Sequence, residues 1–154
     1  MVDVRSILAP TCTRAGVATN SRKRLLEYAS DLLAETYELP ARELFDELMN
    51  RERLGSTGLG DGVAIPHCRI DCDRIHAACL TLDKPVDYDA MDGEPVDLVF
   101  VLIVPPEENS VHLELLAALA RLYGNPESRA RLRACRSDDE LFELFTGLFS
   151  SQAA

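Results

Sequence analysis

The chain is short of basic side chains and contains no long hydrophobic run and no internal repeat. Its 154 residues include 26 Asp and Glu but only 16 Lys and Arg, a formal net charge of -10 at pH 7. Such an acidic chain is not expected to bind the phosphates of DNA or RNA by charge attraction. No apolar run approaches the roughly 20 residues of a membrane-spanning helix, and the opening MVDVRSILAP lacks a signal-peptide pattern. We therefore expect a cytoplasmic protein without membrane insertion.

Cysteine is present in a pattern that does not indicate disulfide bonds. The five cysteines are an odd number and are scattered along the chain: Cys12, Cys68, Cys72, Cys79 and Cys135. A chain of 154 residues with 47% hydrophobic residues is large enough to fold around one full core without covalent staples. We expect reduced thiols and a single domain that spans residues 1–154.

Apolar residues recur at helical spacing in several stretches of the chain. The predicted helices open at Ser21, Pro40, Ser110, Asn125 and Ser137. Gly55 ends the second of them, which places Arg51 and Arg53 at its C-terminal end. In the third, Ser110 is the predicted N-cap, His112 lies in the first turn and Gly124 marks the end.

Strand-like segments alternate with these helices. The run 96–104 is almost entirely apolar, which is typical of a central strand buried on both faces. Residues 75–82 and, more weakly, 11–17 are further candidates, and Lys84-Pro85 marks a loop between strands. The order of elements predicts an α/β fold with helices over the faces of a mixed sheet.

Glycine is concentrated in one segment, residues 55–62, which leads into the short apolar run Val63-Ala64-Ile65 and then Pro66-His67. We expect this run to form a short strand that ends at His67. Glycine lets the backbone approach an anion closely. The residues Ser56, Thr57 and Gly58 are therefore predicted to bind phosphate through backbone N–H groups. The segment follows a helix and precedes a strand, and it has neither the G-x-G-x-x-G spacing nor a Gly-Lys-Ser/Thr, so a nucleotide-binding loop is not expected.

The chemistry of the segment centres on His67. A neutral imidazole, with a pKa near ~6.5, can attack phosphorus at neutral pH and form a covalent phosphohistidine. Phosphoryl transfer needs positioning and charge neutralisation, which the planar guanidinium of Arg51 can supply. At a helix N-terminus, His112 could hydrogen-bond a phosphoryl oxygen.

Each of these residues also has a purely structural interpretation. His67 and His112 could be core histidines, and Arg51 could only complement the C-terminal end of its helix, with Arg53 as an alternative cation. His76 falls in a predicted strand without partners and is taken as structural or exposed. The combination of glycines, arginine and histidine is what favours function.

A zinc site is the competing chemical interpretation, because His67-Cys68-x-x-x-Cys72-x-x-x-His76 has spacings within the looser ranges of structural sites. If residues 75–82 form a strand, the four ligands could converge only through one sharp local loop. A zinc-bound His67 also could not attack phosphorus. We expect no metal, and we expect the cysteines to serve as small apolar residues.

The segment from Arg51 to His67, R-E-R-L-G-S-T-G-L-G-D-G-V-A-I-P-H, resembles the active-site signature of the fructose/mannitol-type IIA domains of the bacterial phosphotransferase system (PTS). The helix that contains H-L-E-L-L-A-A-L-A, from His112 onward, is similar to the second histidine segment of that family, and the element order agrees over about residues 4–150. One departure is Cys68, where many relatives carry glycine.

The resemblance implies a mixed, mostly parallel sheet flanked by helices on both faces. It implies that His67 accepts a phosphoryl group, as a tele-phosphohistidine, from a histidine phosphocarrier protein of the HPr or NPr type. Arg51 then stabilises the phosphoryl group, with His112 beside it, and no cofactor is needed. The acceptor is a IIB domain or a regulatory protein target.

Within the family, the run Leu-Gly-Ser-Thr-Gly in a stand-alone domain is most similar to the nitrogen-regulatory branch, whose members signal through their phosphorylation state. A role in sugar transport is the alternative within the family. An alternative outside it is a non-catalytic interaction module with a vestigial site. The sequence names neither a sugar nor a downstream partner.

Overall fold

The computed structural model of the protein describes residues 2–108 and 110–152. The helices are α1 (Arg22–Tyr37), α2 (Ala41–Arg53), α3 (Ser110–Gly124), α4 (Pro126–Arg133) and α5 (Asp138–Gln152). The strands are β1 (Leu8–Val17), β2 (Gly58–Gly60), β3 (Val63–Ala64), β4 (His67–Arg69), β5 (His76–Val86) and β6 (Val96–Val104). In this described part of the chain, no helix is long and apolar enough to cross a membrane.

The strands form one mixed sheet in the order β1-β5-β6-β3-β2, and β4 continues along the edge of β6 beyond β3. Three pairings are parallel: β1 with β5, β3 with β6, and β4 with β6. The pairs β5–β6 and β2–β3 are antiparallel. The mostly parallel sheet implied by the resemblance is therefore confirmed.

The central strand β6 has the predicted bounds and is buried at every residue except Asp97, which is half-buried. Continuous burial of this kind requires cover on both faces of the sheet. The pair α1 and α2 packs beside β4 and β5, whereas α5 packs with α3 and α4 and stacks its Phe145 on Phe100 of β6, 4.9 Å between ring centroids. The helices thus flank the sheet as expected.

Strands β1 and β5 are longer than predicted. β1 begins at Leu8 rather than Thr11, and β5 continues to Val86, so Lys84-Pro85, predicted as a loop, lies within a strand. A proline lacks the N–H of a ladder hydrogen bond and is tolerated in a sheet where pairing is interrupted. The β5–β6 register breaks between Thr81 and Val86, which makes room for it.

Two predicted helix starts shift by one residue. Pro40 is the N-cap residue of α2, which begins at Ala41. Ser110, predicted as an N-cap, is instead the first residue of α3, and the Glu108 carboxylate accepts a hydrogen bond from the Val111 N–H at 3.1 Å. The N-cap of α1 is Ser21, as predicted.

The glycine segment is a strand hairpin in part, not only a loop. β2 and β3 pair around Asp61-Gly62, where φ is 58° and 81° respectively. Positive φ at both central residues is the conformation that a tight two-residue hairpin requires, and Asp-Gly is a preferred sequence for it. After this hairpin, His67 begins β4 rather than ending a strand, which corrects the sequence prediction.

Candidate active site

A surface depression of about 470 Å³ lies between the end of α2, strand β4 and the start of α3. It is lined by Glu47, Asn50, Arg51, Leu54, His67, Cys68, Arg69 and His112. The fold thereby brings together three of the side chains proposed from the sequence, Arg51, His67 and His112. It adds one further cation, Arg69.

His67 is held at the first position of β4 by backbone pairing. It lies opposite Leu102 of β6, and the Pro66 carbonyl accepts a hydrogen bond from the Leu102 N–H at 3.0 Å. The imidazole Nδ1 is 2.8 Å from the carbonyl oxygen of Ile65. Because a carbonyl oxygen can only accept, Nδ1 carries the hydrogen and Nε2 keeps its lone pair.

The electrostatic surroundings keep this imidazole uncharged. Burial lowers the pKa of His67, and the nearby positive charges of Arg51 and Arg69 lower it further, although the Ile65 carbonyl acts in the opposite direction. A pKa below its usual value leaves the ring neutral at pH 7. The unprotonated Nε2 is therefore present as a nucleophile without prior loss of a proton.

His112 lies beside His67, in the first turn of α3. The two ring centroids are 5.6 Å apart and the ring planes are tilted by 51°. Burial lowers the pKa of His112, and the proximity of His67 and Arg69 lowers it further. Its Nδ1 is buried, with no hydrogen-bond partner among residues 2–108 and 110–152.

Arg51 is positioned by the last turn of α2, where a cation complements the helix dipole. One guanidinium nitrogen donates to the Gly55 carbonyl at 2.8 Å, which folds the side chain back over the start of the glycine segment. The alternative cation, Arg53, donates instead to the Asn50 side chain and does not line the depression. The geometry favours Arg51 over Arg53.

Arg69 is a residue of the depression that sequence reasoning missed. Successive side chains of a strand point to opposite faces, so residues two apart share a face. His67 and Arg69 are such a pair in β4. The two-residue spacing of His67 and Arg69 is visible in the sequence, but the strand was expected to end at His67, which left Arg69 outside it.

Two N–H groups of the predicted phosphate cradle have hydrogen-bond partners within the chain. The Thr57 N–H donates to the Glu52 carboxylate at 3.1 Å, and the Thr57 hydroxyl donates to the same carboxylate. The Gly58 N–H donates to Ser56 Oγ at 3.1 Å, and that hydroxyl donates to the Tyr88 carbonyl at 2.9 Å. These hydrogen bonds of Thr57 and Gly58 fix the shape of the turn beside the site, and phosphate binding by Ser56, Thr57 and Gly58 stays a prediction.

Gly58 is required for close packing against Ala90. A Cβ at this position would lie 2.8 Å from the Cβ of Ala90, and the φ of Gly58 is not in the positive region. Beneath it, the buried Glu52 also accepts from the Tyr88 hydroxyl at 2.9 Å and lies 3.6 Å from Arg22. This buried network anchors the segment between α2 and β3.

Cys68 is the residue at which the chain departs from the family pattern. Its side chain is buried, and burial raises the pKa of its thiol to about 12. The thiolate is the reactive form of cysteine, so a thiol with this pKa is protonated and inert at neutral pH. Cys68 therefore behaves as a small apolar neighbour of His67.

His76 is buried and structural, one of the two alternatives expected from the sequence, but it has partners, which the sequence did not predict. Its Nε2 is 3.0 Å from the Asp73 carboxylate, and its ring lies 4.1 Å from the ring of Tyr37, centroid to centroid. In the described ranges 2–108 and 110–152, no group of three or more His, Cys, Asp or Glu side chains could hold a metal ion. The zinc interpretation of residues 67–76 thus gains no support.

Comparison with known proteins adds independent findings. Residues 6–147 match the family described as "Phosphoenolpyruvate-dependent sugar phosphotransferase system, EIIA 2". The nitrogen regulatory protein of Pseudomonas aeruginosa is 42% identical over 154 residues, which cover 99% of this chain and 100% of that protein.

Two solved structures give the comparison in three dimensions. The crystal structure of nitrogen regulatory protein IIA-Ntr from Neisseria meningitidis has a TM-score of 0.85 at 36% identity, over 95% of this chain and 98% of that one. The Escherichia coli complex of enzyme IIA mannitol with phosphorylated enzyme IIB mannitol has a TM-score of 0.70 at 18% identity, over 86% and 92%. At that identity the second likeness shows the fold alone.

Proposed function

Since the chain belongs to the EIIA 2 family of the phosphoenolpyruvate-dependent sugar phosphotransferase system, we propose that it carries its phosphoryl group on Nε2 of His67. Membership makes the chain a phosphotransferase component. The observation that carries the assignment to Nε2 is the 2.8 Å contact between Nδ1 and the Ile65 carbonyl. It leaves Nε2 as the nitrogen with a free lone pair.

The proposed transfer is an exchange of one phosphorus–nitrogen bond for another. The Nε2 lone pair of His67 attacks the phosphorus of a phosphohistidine on the carrier, the new bond forms, and the carrier's imidazole departs with the electron pair of the broken bond. Nδ1 keeps its hydrogen and donates it to the Ile65 carbonyl, which holds the ring in place. In the onward transfer, a nucleophile of the acceptor attacks the phosphorus, and the imidazole of His67 departs with the electron pair of the broken phosphorus–nitrogen bond.

Arg51 and His112 stabilise the phosphoryl group during this exchange. The guanidinium of Arg51 matches the oxygens of a phosphoryl group in shape and charge. With its Nδ1 buried and unpartnered in the described chain, His112 is best accommodated with the hydrogen on Nε2, which makes Nε2 a donor. Both groups act on charge and form no covalent bond.

We infer a regulatory rather than a sugar-transporting role from the relatives named nitrogen regulatory protein. The donor in this proposal is a histidine phosphocarrier protein of the HPr or NPr type. The acceptor is a IIB domain, as in the mannitol complex, or a regulatory protein target that reads the phosphorylation state. The cytoplasmic location expected from the sequence stays a prediction.

Incubation with a phosphorylated carrier and measurement of the intact mass test the proposal. The wild-type chain is expected to gain one phosphoryl group, His67→Ala to gain none, and Arg53→Ala, which alters a cation outside the depression, to be labelled like the wild type. Peptide fragmentation under alkaline conditions should locate the group on His67. Labelling that survives His67→Ala would remove His67 as the acceptor.

A vestigial interaction module makes the opposite prediction. Such a protein would bind its target yet take no label from any cognate carrier. The presence of Arg51, His67 and His112 around one depression favours the carrier instead.

A further inference from the structure

Three backbone carbonyls of one loop converge on a single side chain beside the two histidines. The loop, residues 105–108, joins β6 to α3. Nη1 of Arg69 donates to the carbonyl oxygens of Pro105 at 3.0 Å, Pro106 at 3.1 Å and Glu108 at 2.5 Å. Prolines lack backbone N–H groups, so this stretch has little opportunity for ordinary ladder bonds.

The two partners in this contact, Arg69 and the segment 105–108, each lie close in sequence to one of the two histidines. On one side, Arg69 is two residues from His67 in β4, and its strand position is paired with Val104 at the end of β6. On the other, Glu108 caps the first turn of α3 through the Val111 N–H, one residue before His112. Arg69 therefore links the strand that carries His67 to the residues that precede His112.

We propose that Arg69 is a positioning residue that ties the loop 105–108, and with it the first turn of α3, to the strand carrying His67. Only the expected effect of Arg69 on the rate of phosphoryl transfer depends on the proposed function. Hydrogen bonds from a cation to carbonyl oxygens are stronger than hydrogen bonds between neutral groups, so they restrict the movement of the loop more effectively. Displacement of a catalytic group by about 1 Å costs about a hundredfold in rate.

The same side chain also acts on both histidines through its charge. Arg69 contributes to the lowered pKa of His67 and to the lowered pKa of His112. Its loss should therefore free the loop and make both rings easier to protonate.

Three variants separate these effects: Arg69→Met, Arg69→Lys and the matched control Arg53→Met. Hydrogen exchange of the unphosphorylated protein should be about tenfold faster at the Glu108 and Val111 amides in Arg69→Met. NMR titration of that variant should show a higher pKa for both histidines. Phosphorylation from the carrier should be about tenfold slower or more.

The conservative variant and the control fix the interpretation. Arg69→Lys keeps the charge and three N–H donors and should recover most of the exchange protection, both pKa values and the rate. Arg53→Met should behave like the wild type. If Arg69→Met matches Arg53→Met in exchange and in both pKa values, the tether is overturned. If those readings change as expected but the wild type takes no label, the proposed function fails and the tether stands.

Discussion

Two histidines of this protein lie at comparable positions in the sheet and differ in which ring nitrogen has a hydrogen-bond partner. His67 begins β4 and His76 begins β5, and both strands pair with the last residues of β6. Burial lowers the pKa of each. By these measures the two rings are alike.

The two rings differ in their hydrogen-bond partners and in their exposure to solvent. His67 is half-buried, its Nδ1 is held by a backbone carbonyl, and it lines an open depression with two cations. His76 is only 3% exposed, its Nε2 is held by Asp73, and its ring is covered by Tyr37. A neutral imidazole thus lines an open depression in one place and is a packing element in the other, and the direction of the pKa shift alone would not distinguish them.

The largest expected effect concerns stability. His76→Ala removes a buried ring stacked on Tyr37 and should lower the free energy of unfolding by about 3 kcal/mol. His67→Ala loses one hydrogen bond at a half-buried site and should cost about 1 kcal/mol. Urea denaturation of both variants measures this contrast. The folded fraction of His76→Ala should still accept label, and equal losses of stability would break the comparison.

The next effect concerns rate and brings in the neighbouring ring. His112→Ala removes a donor to the phosphoryl group but leaves Nε2 of His67 intact. Labelling should slow by about a hundredfold and still reach completion. Rapid-quench kinetics of the folded variant measure it. Complete loss of labelling would mean that His112, too, takes part in bond formation.

The smallest effect is a dependence of stability on pH. Because burial holds the pKa of His76 below its unfolded value of about 6.5, the folded state binds fewer protons than the unfolded state. Its contribution is present above about pH 6.5 and is lost as the pH falls through that value toward the folded pKa. His67 and His112 have the same sign.

Thermal unfolding between pH 7 and pH 5 should therefore show a falling midpoint, and His76→Ala should show a shallower fall. One histidine contributes at most about 1.4 kcal/mol per pH unit. An unchanged slope in His76→Ala would show that this ring titrates alike in the folded and unfolded states.

The larger elements were predictable because their signals are local and repeated. The apolar run of β6 and the periodic helices have bounds close to those expected. The short strands β2, β3 and β4 were not predictable as strands, since two or three residues carry no period. Their pairing depends on β6, which lies some 30 residues away along the chain, and on a hairpin at Asp61-Gly62.

The candidate site shows the same division. Arg51, His67 and His112 were named from residue type and motif, and the structure brings them to one depression. Phosphate binding by Ser56, Thr57 and Gly58 stays a prediction, because glycine spacing is the same for an anion cradle and for a tightly packed turn. Glu52, the buried carboxylate that accepts hydrogen bonds from Thr57, looks in the sequence like any charged helical residue.

Strand β6 serves as the backbone partner of both histidine-bearing strands, and this has a consequence for the order of folding. The pairs His67 with Leu102 and His76 with Ile103 close long stretches of chain, and such distant contacts form late. During synthesis, therefore, the imidazole of His67 can take its place only after β6 has been made. A chain that stops before β6 has no partner strand for β4 and lacks the antiparallel partner of β5.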